Sequence, residues 1–529
     1  MTRANPFRRH PLAPALAALA ALTLVGCTAG HGTESDEDKA AGVRADPAAR
    51  PELKRFYSQK LTWRPCGDLR CARLTVPRDY AHPENGETFV LPVAKAATAE
   101  PAERIGSLVY NPGGPGVSGV SDLASDSGEV FSAEVRARFD IVSFDPRGVG
   151  GSRPAVKCAE PDDGGGQGDA PDPVTPKTRD ERDRALAAAH AEAAGCVKGS
   201  GALLRQVGTE DAARDMDVLR AALDDRKLTY LGWSYGTSLG TSYAEQFPRR
   251  VRALVLDGAV DPSLDWSERA ISQGKGFRRA VEEYAEACAE IVGEGCPGAT
   301  PEEISGLIEE LYEEAGREPL PVTDETAYEV DARTLLDVVT AAMYTPEDDW
   351  EPLSEALTEA ADGDATGLAG LAEGDESSQA TARPGARGAD STDNEDEALL
   401  AVSCLDIPHP RGARPYWDAL AAAGKTAGLY GTSSVVDELV CKDWPAGAER
   451  PHRVRAEGVP PVLVVGTTGD PATPYEEAES LAAQFPGGML LTYEGVGHTA
   501  YGRGDACVTD AVDDYLIDLK RIRPDDATC

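Results

Sequence analysis

Leu228-Thr229-Tyr230-Leu231-Gly232-Trp233-Ser234-Tyr235-Gly236 is the stretch that decides the fold. Four residues with apolar character run into a G-x-S-x-G pentapeptide, and a helical pattern follows to about Gln246. A strand, a tight turn and a helix in that order expose a serine hydroxyl above a sheet. The glycines matter because such a turn leaves no room for Cβ atoms. The helix that starts there also aims its N-terminus at whatever reacts with the hydroxyl.

The same rhythm extends on both sides. Ser107–Tyr110, Phe139–Phe144 and Ala253–Leu256 read as short apolar strands, and Thr209 reads as the cap of a helix to about Leu223. Glu210 and Asp211 fall in its first turn, where negative charge suits the dipole. Strands alternating with helices predict a mostly parallel sheet covered on both faces. Earlier, Cys71–Val76 and Thr88–Ala94 read as strands around a turn at Pro83–Gly86, and Pro92 argues for an edge position in the second. From about 264 to 400 amphipathic helical stretches dominate, such as Phe277–Ile291 and Pro301–Ala315. Strands resume at Pro461–Val465 and Met489–Tyr493. The expected organisation is therefore a core over 51–263 and 401–529, interrupted by a helical cap over 264–400. An acidic stretch near 373–397 is expected to be disordered within that cap.

A serine hydroxyl needs a base to become nucleophilic. Three histidines follow Ser234: His409, His452 and His498. The first two are flanked by prolines. His498 follows a strand in the loop Gly495-Val496-Gly497-His498 and is the candidate base. The candidate acid is Asp470, just beyond the strand Pro461–Val465. Asp257, ending an earlier strand, is its rival. Donors for a developing oxyanion are expected from the backbone N–H groups of Tyr235 and of Gly114, in the loop Asn111-Pro112-Gly113-Gly114-Pro115-Gly116.

These pieces together resemble the secreted tripeptidyl aminopeptidases of the prolyl-aminopeptidase-like serine peptidases, within the α/β-hydrolase superfamily. The resemblance rests on Asn111–Gly116, Asp145–Arg147 with Gly151-Ser152, Gly232–Gly236, Asp470–Pro474 and Gly497-His498. It also takes in Trp63–Tyr80 and Thr209–Leu219. It implies an α/β-hydrolase fold and release of short peptides from free amino termini, without metal or organic cofactor. The residues alone imply a serine hydrolase, and a carboxylic-ester hydrolase with the same triad is the alternative. An aminopeptidase must hold a substrate ammonium with a carboxylate. Asp406 is one candidate; a surface acid or a helix cap is the other reading of that residue.

The amino terminus reads as a targeting segment. Arg3, Arg8 and Arg9 precede an apolar run, Pro11–Val25, that ends in Leu24-Val25-Gly26-Cys27. That pattern resembles a lipobox, which implies cleavage of residues 1–26 and lipidation of Cys27. Residues 27–50 then form a polar tether. The formal charge of −38 argues against a nucleic-acid partner. The only membrane contact expected is through the lipid. Setting Cys27 aside, ten of the eleven cysteines remain. They fall in sequential couples: 66 with 71, 158 with 196, 288 with 296, 404 with 441 and 507 with 529. An even number in an exported chain favours disulfides, though spacing does not fix their connectivity. No CxxC or HExxH pattern suggests a metal site.

Overall fold

Short apolar runs between Gly/Pro-rich turns cannot hide both faces alone, and here they assemble into one sheet. In the computed structural model, the described residues are 49–159, 174–291, 295–323, 329–375, 394–445, 450–523 and 526–529. The expected signal segment, Cys27, nearly all of the tether and most of the acidic stretch near 373–397 lie outside them.

Nine strands form the sheet among the described residues: β1 (Arg64–Cys66), β2 (Leu69–Pro77), β3 (Thr88–Ala96), β4 (Gly106–Asn111), β5 (Phe139–Phe144), β6 (Leu228–Trp233), β7 (Val251–Asp257), β8 (Leu463–Gly469) and β9 (Met489–Val496). Their order is β1-β2-β3-β5-β4-β6-β7-β8-β9. The first strands pair antiparallel, and from β5 to β9 every pairing is parallel. β4, β5 and β6 are buried along their whole length, as expected of parallel strands with helices on both faces. This is the α/β-hydrolase fold that the strand–helix rhythm and the family resemblance predict.

Two details correct the sequence reading. β3 is not an edge strand: it lies between β2 and β5. Pro92 fits because the β3–β5 ladder begins one residue later, at Val93 opposite Phe144. Thr209 is not the helix cap either. Gly208 is, and Thr209 is the first residue of the helix Thr209–Ala222.

Between β7 and β8 the chain is helical. The long helix Trp266–Ile291 is followed by Pro301–Ala315, Ala332–Ala341, Pro346–Ala361 and Thr366–Asp375. Helices continue past 400 with Glu395–Asp406, Arg414–Thr426 and Gly428–Asp437. Much of this insertion has its own apolar core around Tyr284, Leu335, Trp350 and Leu357. Two further clusters pack the two faces of the sheet.

All five cysteine couples are disulfides: Cys66–Cys71, Cys158–Cys196, Cys288–Cys296, Cys404–Cys441 and Cys507–Cys529. Cys404–Cys441 ties together two parts of the late helical run, and Cys507–Cys529 ties down the C-terminus. No helix among the described residues is long and apolar enough to cross a membrane.

Two motifs carried by the family resemblance prove architectural. Asp145 accepts from Ser118 Oγ at 2.7 Å and from Gly151 N–H at 2.8 Å, stitching neighbouring loops. Arg147 is fully buried and donates to both oxygens of Asp215, each at 2.7 Å. A bidentate pair satisfies two charges that would otherwise be costly to bury.

Candidate active site

The turn after β6 is as tight as its glycines imply. A Cβ on Gly232 would sit 2.3 Å from the Gly236 carbonyl oxygen, and one on Gly236 would sit 2.7 Å from that of Asn111. Ser234 itself has φ 53° and ψ −122°, a strained backbone for a non-glycine residue. Its N–H donates to the Asp257 carbonyl at 2.9 Å, which anchors the turn to the end of β7. Beneath the turn, Trp233 packs against Tyr110, Phe131 and Tyr501. Tyr235 opens the helix Tyr235–Gln246, so its amide stands at the positive end of that helix.

The loop after β4 lies against the serine. Gly113 adopts φ 115°, and a Cβ there would be 3.0 Å from both Ser234 Cβ and the Trp233 carbonyl oxygen. Gly114, Ser234 and Tyr235 line one cavity. The structure therefore brings the two expected oxyanion donors to the same cavity as the serine.

Asp470 and His498 meet. His498 Nδ1 lies 2.9 and 3.0 Å from the two Asp470 oxygens. Asp470 is 2% exposed. It also accepts from the N–H groups of Ala472, Thr473 and Thr499 at 3.0, 2.8 and 3.1 Å. That set of donors fixes the plane of the carboxylate. Thr473 Oγ1 donates to Asp470 Oδ2 at 3.1 Å and stands 3.4 Å from His498 Nδ1. His498 N–H donates to the Tyr344 carbonyl at 2.9 Å, and the Tyr344 ring meets the imidazole edge-on. On its other side, His498 Cε1 is 3.2 Å from where a Gly258 Cβ would stand. Gly258 directly follows the residue that anchors the Ser234 amide, so the imidazole lies beside the end of β7, next to the turn that carries the serine.

Asp257, the rival acid, does different work. It is fully buried and accepts the Ala500 N–H at 3.1 Å and the Tyr501 N–H at 2.8 Å. It holds the loop carrying His498 rather than the imidazole. Burial pushes its carboxyl up to about 6, against those backbone donors.

Asp406 accepts the Thr209 N–H at 2.9 Å and the Thr209 hydroxyl at 2.5 Å. It thus satisfies the start of the Thr209–Ala222 helix, as the helix-cap reading has it. It also lines a larger cleft that shares Tyr235, Val260 and Arg269 with the cavity at Ser234. Sequence reasoning missed Glu477, which lines the Ser234 cavity and is 6% exposed. It accepts from Ser272 Oγ at 2.7 Å and the Asp261 N–H at 3.1 Å. Burial raises Asp406 and Glu477 alike, each to about 6. Glu477 lies in the first turn of a helix, where an acid looks like dipole decoration. Only the folded chain shows that it turns inward.

A family model described as the alpha/beta hydrolase fold matches residues 106–505. Over 544 aligned residues the chain is 35% identical to serine protease Hip1 of Mycobacterium tuberculosis, covering 98% of this chain and 97% of that protein. It is 34% identical to a tripeptidyl aminopeptidase of Streptomyces lividans, covering 94% and 90% respectively. Carboxylesterase B of Mycobacterium tuberculosis is 33% identical, covering 97% of each.

Proposed function

This chain belongs to the α/β-hydrolase family and is a serine hydrolase, and from that premise we propose that it is an exported exopeptidase releasing short peptides, tripeptides in the first place, from the free amino terminus of peptide substrates. The observation that carries the peptide reading is a pair of carboxylates, half-buried Asp406 and buried Glu477, on two cavities that share lining residues, one of which holds Ser234. Both are held up by burial, so an incoming α-ammonium would relieve them. Peptidase relatives across nearly the whole chain support the same reading.

In the proposed mechanism Ser234 Oγ attacks the scissile carbonyl while His498 takes its proton. Asp470 holds the imidazole and stabilises its charge. The tetrahedral oxyanion accepts from the Gly114 and Tyr235 N–H groups. Collapse breaks the C–N bond, and His498 returns the proton to the leaving amine. Water, deprotonated by the same imidazole, then splits the acyl-enzyme. Disulfides in all five couples fit folding in an oxidising, extracytoplasmic setting. Anchoring through Cys27 belongs to the same proposal.

The test is a set of chromogenic tripeptide amides with free and acetylated amino termini. Acetylation removes the ion pair and should lower kcat/KM by about a hundredfold or more, as expected for losing charged hydrogen bonds. The carboxylesterase relative motivates the alternative reading. Equal rates on free and acetylated peptides, with simple acyl esters preferred, would establish that alternative instead.

A further inference from the structure

Arg269 projects from the cap helix Trp266–Ile291 and lines both the cavity at Ser234 and the larger cleft beside it. It is partly buried. Among the described residues its guanidinium makes no hydrogen bond and no ion pair within 4.0 Å. Other inward-facing arginines are used up: Arg147 by Asp215, Arg220 by Asp217, and Arg252 by the carbonyls of Leu516 and Ile517.

Its nearest candidates for a counter-ion do not fill that role. Asp406 is engaged by Thr209, and Glu477 by Ser272 and Asp261. The charge of Arg269 reaches both, yet both stay raised to about 6. A second polar group among the residues lining that cleft also lacks a partner: Thr241 Oγ1 is buried and unbonded among the described residues, and Thr241 is 3% exposed. Five N–H donors in a planar fork, facing a cavity, call for an acceptor that the protein does not supply. The group that matches that fork is a carboxylate, held by two parallel hydrogen bonds.

We infer that Arg269 is a specificity-determining residue that receives an acidic side chain from the part of the peptide amino-terminal to the scissile bond. This rests on the exopeptidase reading, since the cavities on which Arg269 lies are those assigned to the acyl portion of the substrate. The site then offers both signs of charge: carboxylates for the amino terminus, and one guanidinium for a carboxylate.

The experiment uses the full mature chain and free-amine tripeptide p-nitroanilides in which Glu and Gln are exchanged at each of the three positions in turn. Glu and Gln have nearly the same shape, so their ratio isolates the charge. At one position the wild-type chain should prefer Glu by about tenfold or more in kcat/KM, consistent with a charged hydrogen-bonding pair. Arg269→Gln should bring that ratio to near one, and Arg269→Lys should leave an intermediate ratio, because it keeps the charge and loses the fork. Labelling of each variant by a fluorophosphonate checks that the site still folds. A Glu/Gln ratio near one at every position in the wild-type chain overturns the inference while leaving the exopeptidase reading intact. So does a ratio unchanged by Arg269→Gln. Failure to cut any free-amine peptide, with ester turnover retained, would remove the exopeptidase reading and this inference with it.

Discussion

At Ser234 the backbone is bent against its own preference, with φ 53°, and the surrounding glycines make that bend possible. The strain is held by fixed partners: the Asp257 carbonyl takes the Ser234 N–H, and Thr237 N–H donates back to the Ser234 carbonyl, both at 2.9 Å. Such a residue is worth its strain only where a hydroxyl must be presented. In the proposed mechanism, Ser234→Ala and His498→Ala should each lower kcat by about a thousandfold or more, and by similar factors, because the two act as one unit. Asp470→Asn should cost a large factor too, since Asn offers the imidazole the wrong tautomer. Asp257→Asn is the informative contrast. It keeps one acceptor for the Ala500 and Tyr501 amides, so its loss should stay within roughly tenfold, with fold intact. Steady-state kinetics on one substrate would decide. Near-normal turnover by Asp470→Asn alongside a dead Asp257→Asn would transfer the acid's role to Asp257.

Elements place these residues, and elements were the most legible part of the sequence. The apolar runs at 228–231, 139–144 and 253–256 read as strands because they are too short for helices and are flanked by turn residues. Ser234, Asp470 and His498 could be chosen from loop position and order alone, because each follows a strand. The contacts that orient them could not. Thr473, Tyr344 and Glu477 reach the site through packing between the sheet and an insertion whose sequence shows only amphipathic helix. Pro92 misled because a proline's tolerance depends on where the neighbouring ladder stops, which sequence does not record. The loop after β4 gives an element-scale prediction. Gly113 combines φ 115° with a hypothetical Cβ 3.0 Å from Ser234 Cβ. Gly113→Ala must strain its own backbone, by about 1–3 kcal/mol, and push the loop away from the serine. Fluorophosphonate labelling should slow by at least about tenfold with only a modest drop in Tm. Unchanged labelling would show that this loop does not shape the reacting centre.

For the whole molecule, two predictions concern its setting. If Cys27 carries lipid, Cys27→Ser should move the protein from the membrane fraction to the soluble one or block its processing; an unmodified mature terminus elsewhere, by mass spectrometry, would dismiss the anchor. The second prediction follows from how charge is distributed between surface and interior. Asp257, Asp406 and Glu477 each have a folded-state pKa pushed up to about 6 by burial. A raised carboxyl binds its proton more tightly folded than unfolded. Its stabilising contribution is therefore complete below the ordinary carboxylate range and is lost as pH rises through about 6. The three act in the same direction, so stability should fall between about pH 4 and 7. The surplus of negative charge pushes the same way, since self-repulsion grows as acids ionise. An opposite group sets the acid limit. Asp140 and Asp261 are held below the usual range by hydrogen-bond donors and, for Asp140, by Lys95 and Arg104. Their contribution disappears as pH falls through their lowered values. Tm should accordingly peak near pH 5 and decline toward pH 8. Activity on free-amine peptides should behave differently, because an ammonium needs Asp406 and Glu477 ionised. KM for free-amine substrates should fall as pH rises through about 6, while KM for acetylated ones should move little. Calorimetry from pH 4 to 8 and paired KM profiles measure the two trends. Asp406→Asn and Glu477→Gln should flatten both at once. A Tm that climbs steadily to pH 8, or a KM profile unaffected by either variant, would show that these buried acids are neither a stability cost nor the amine's partners.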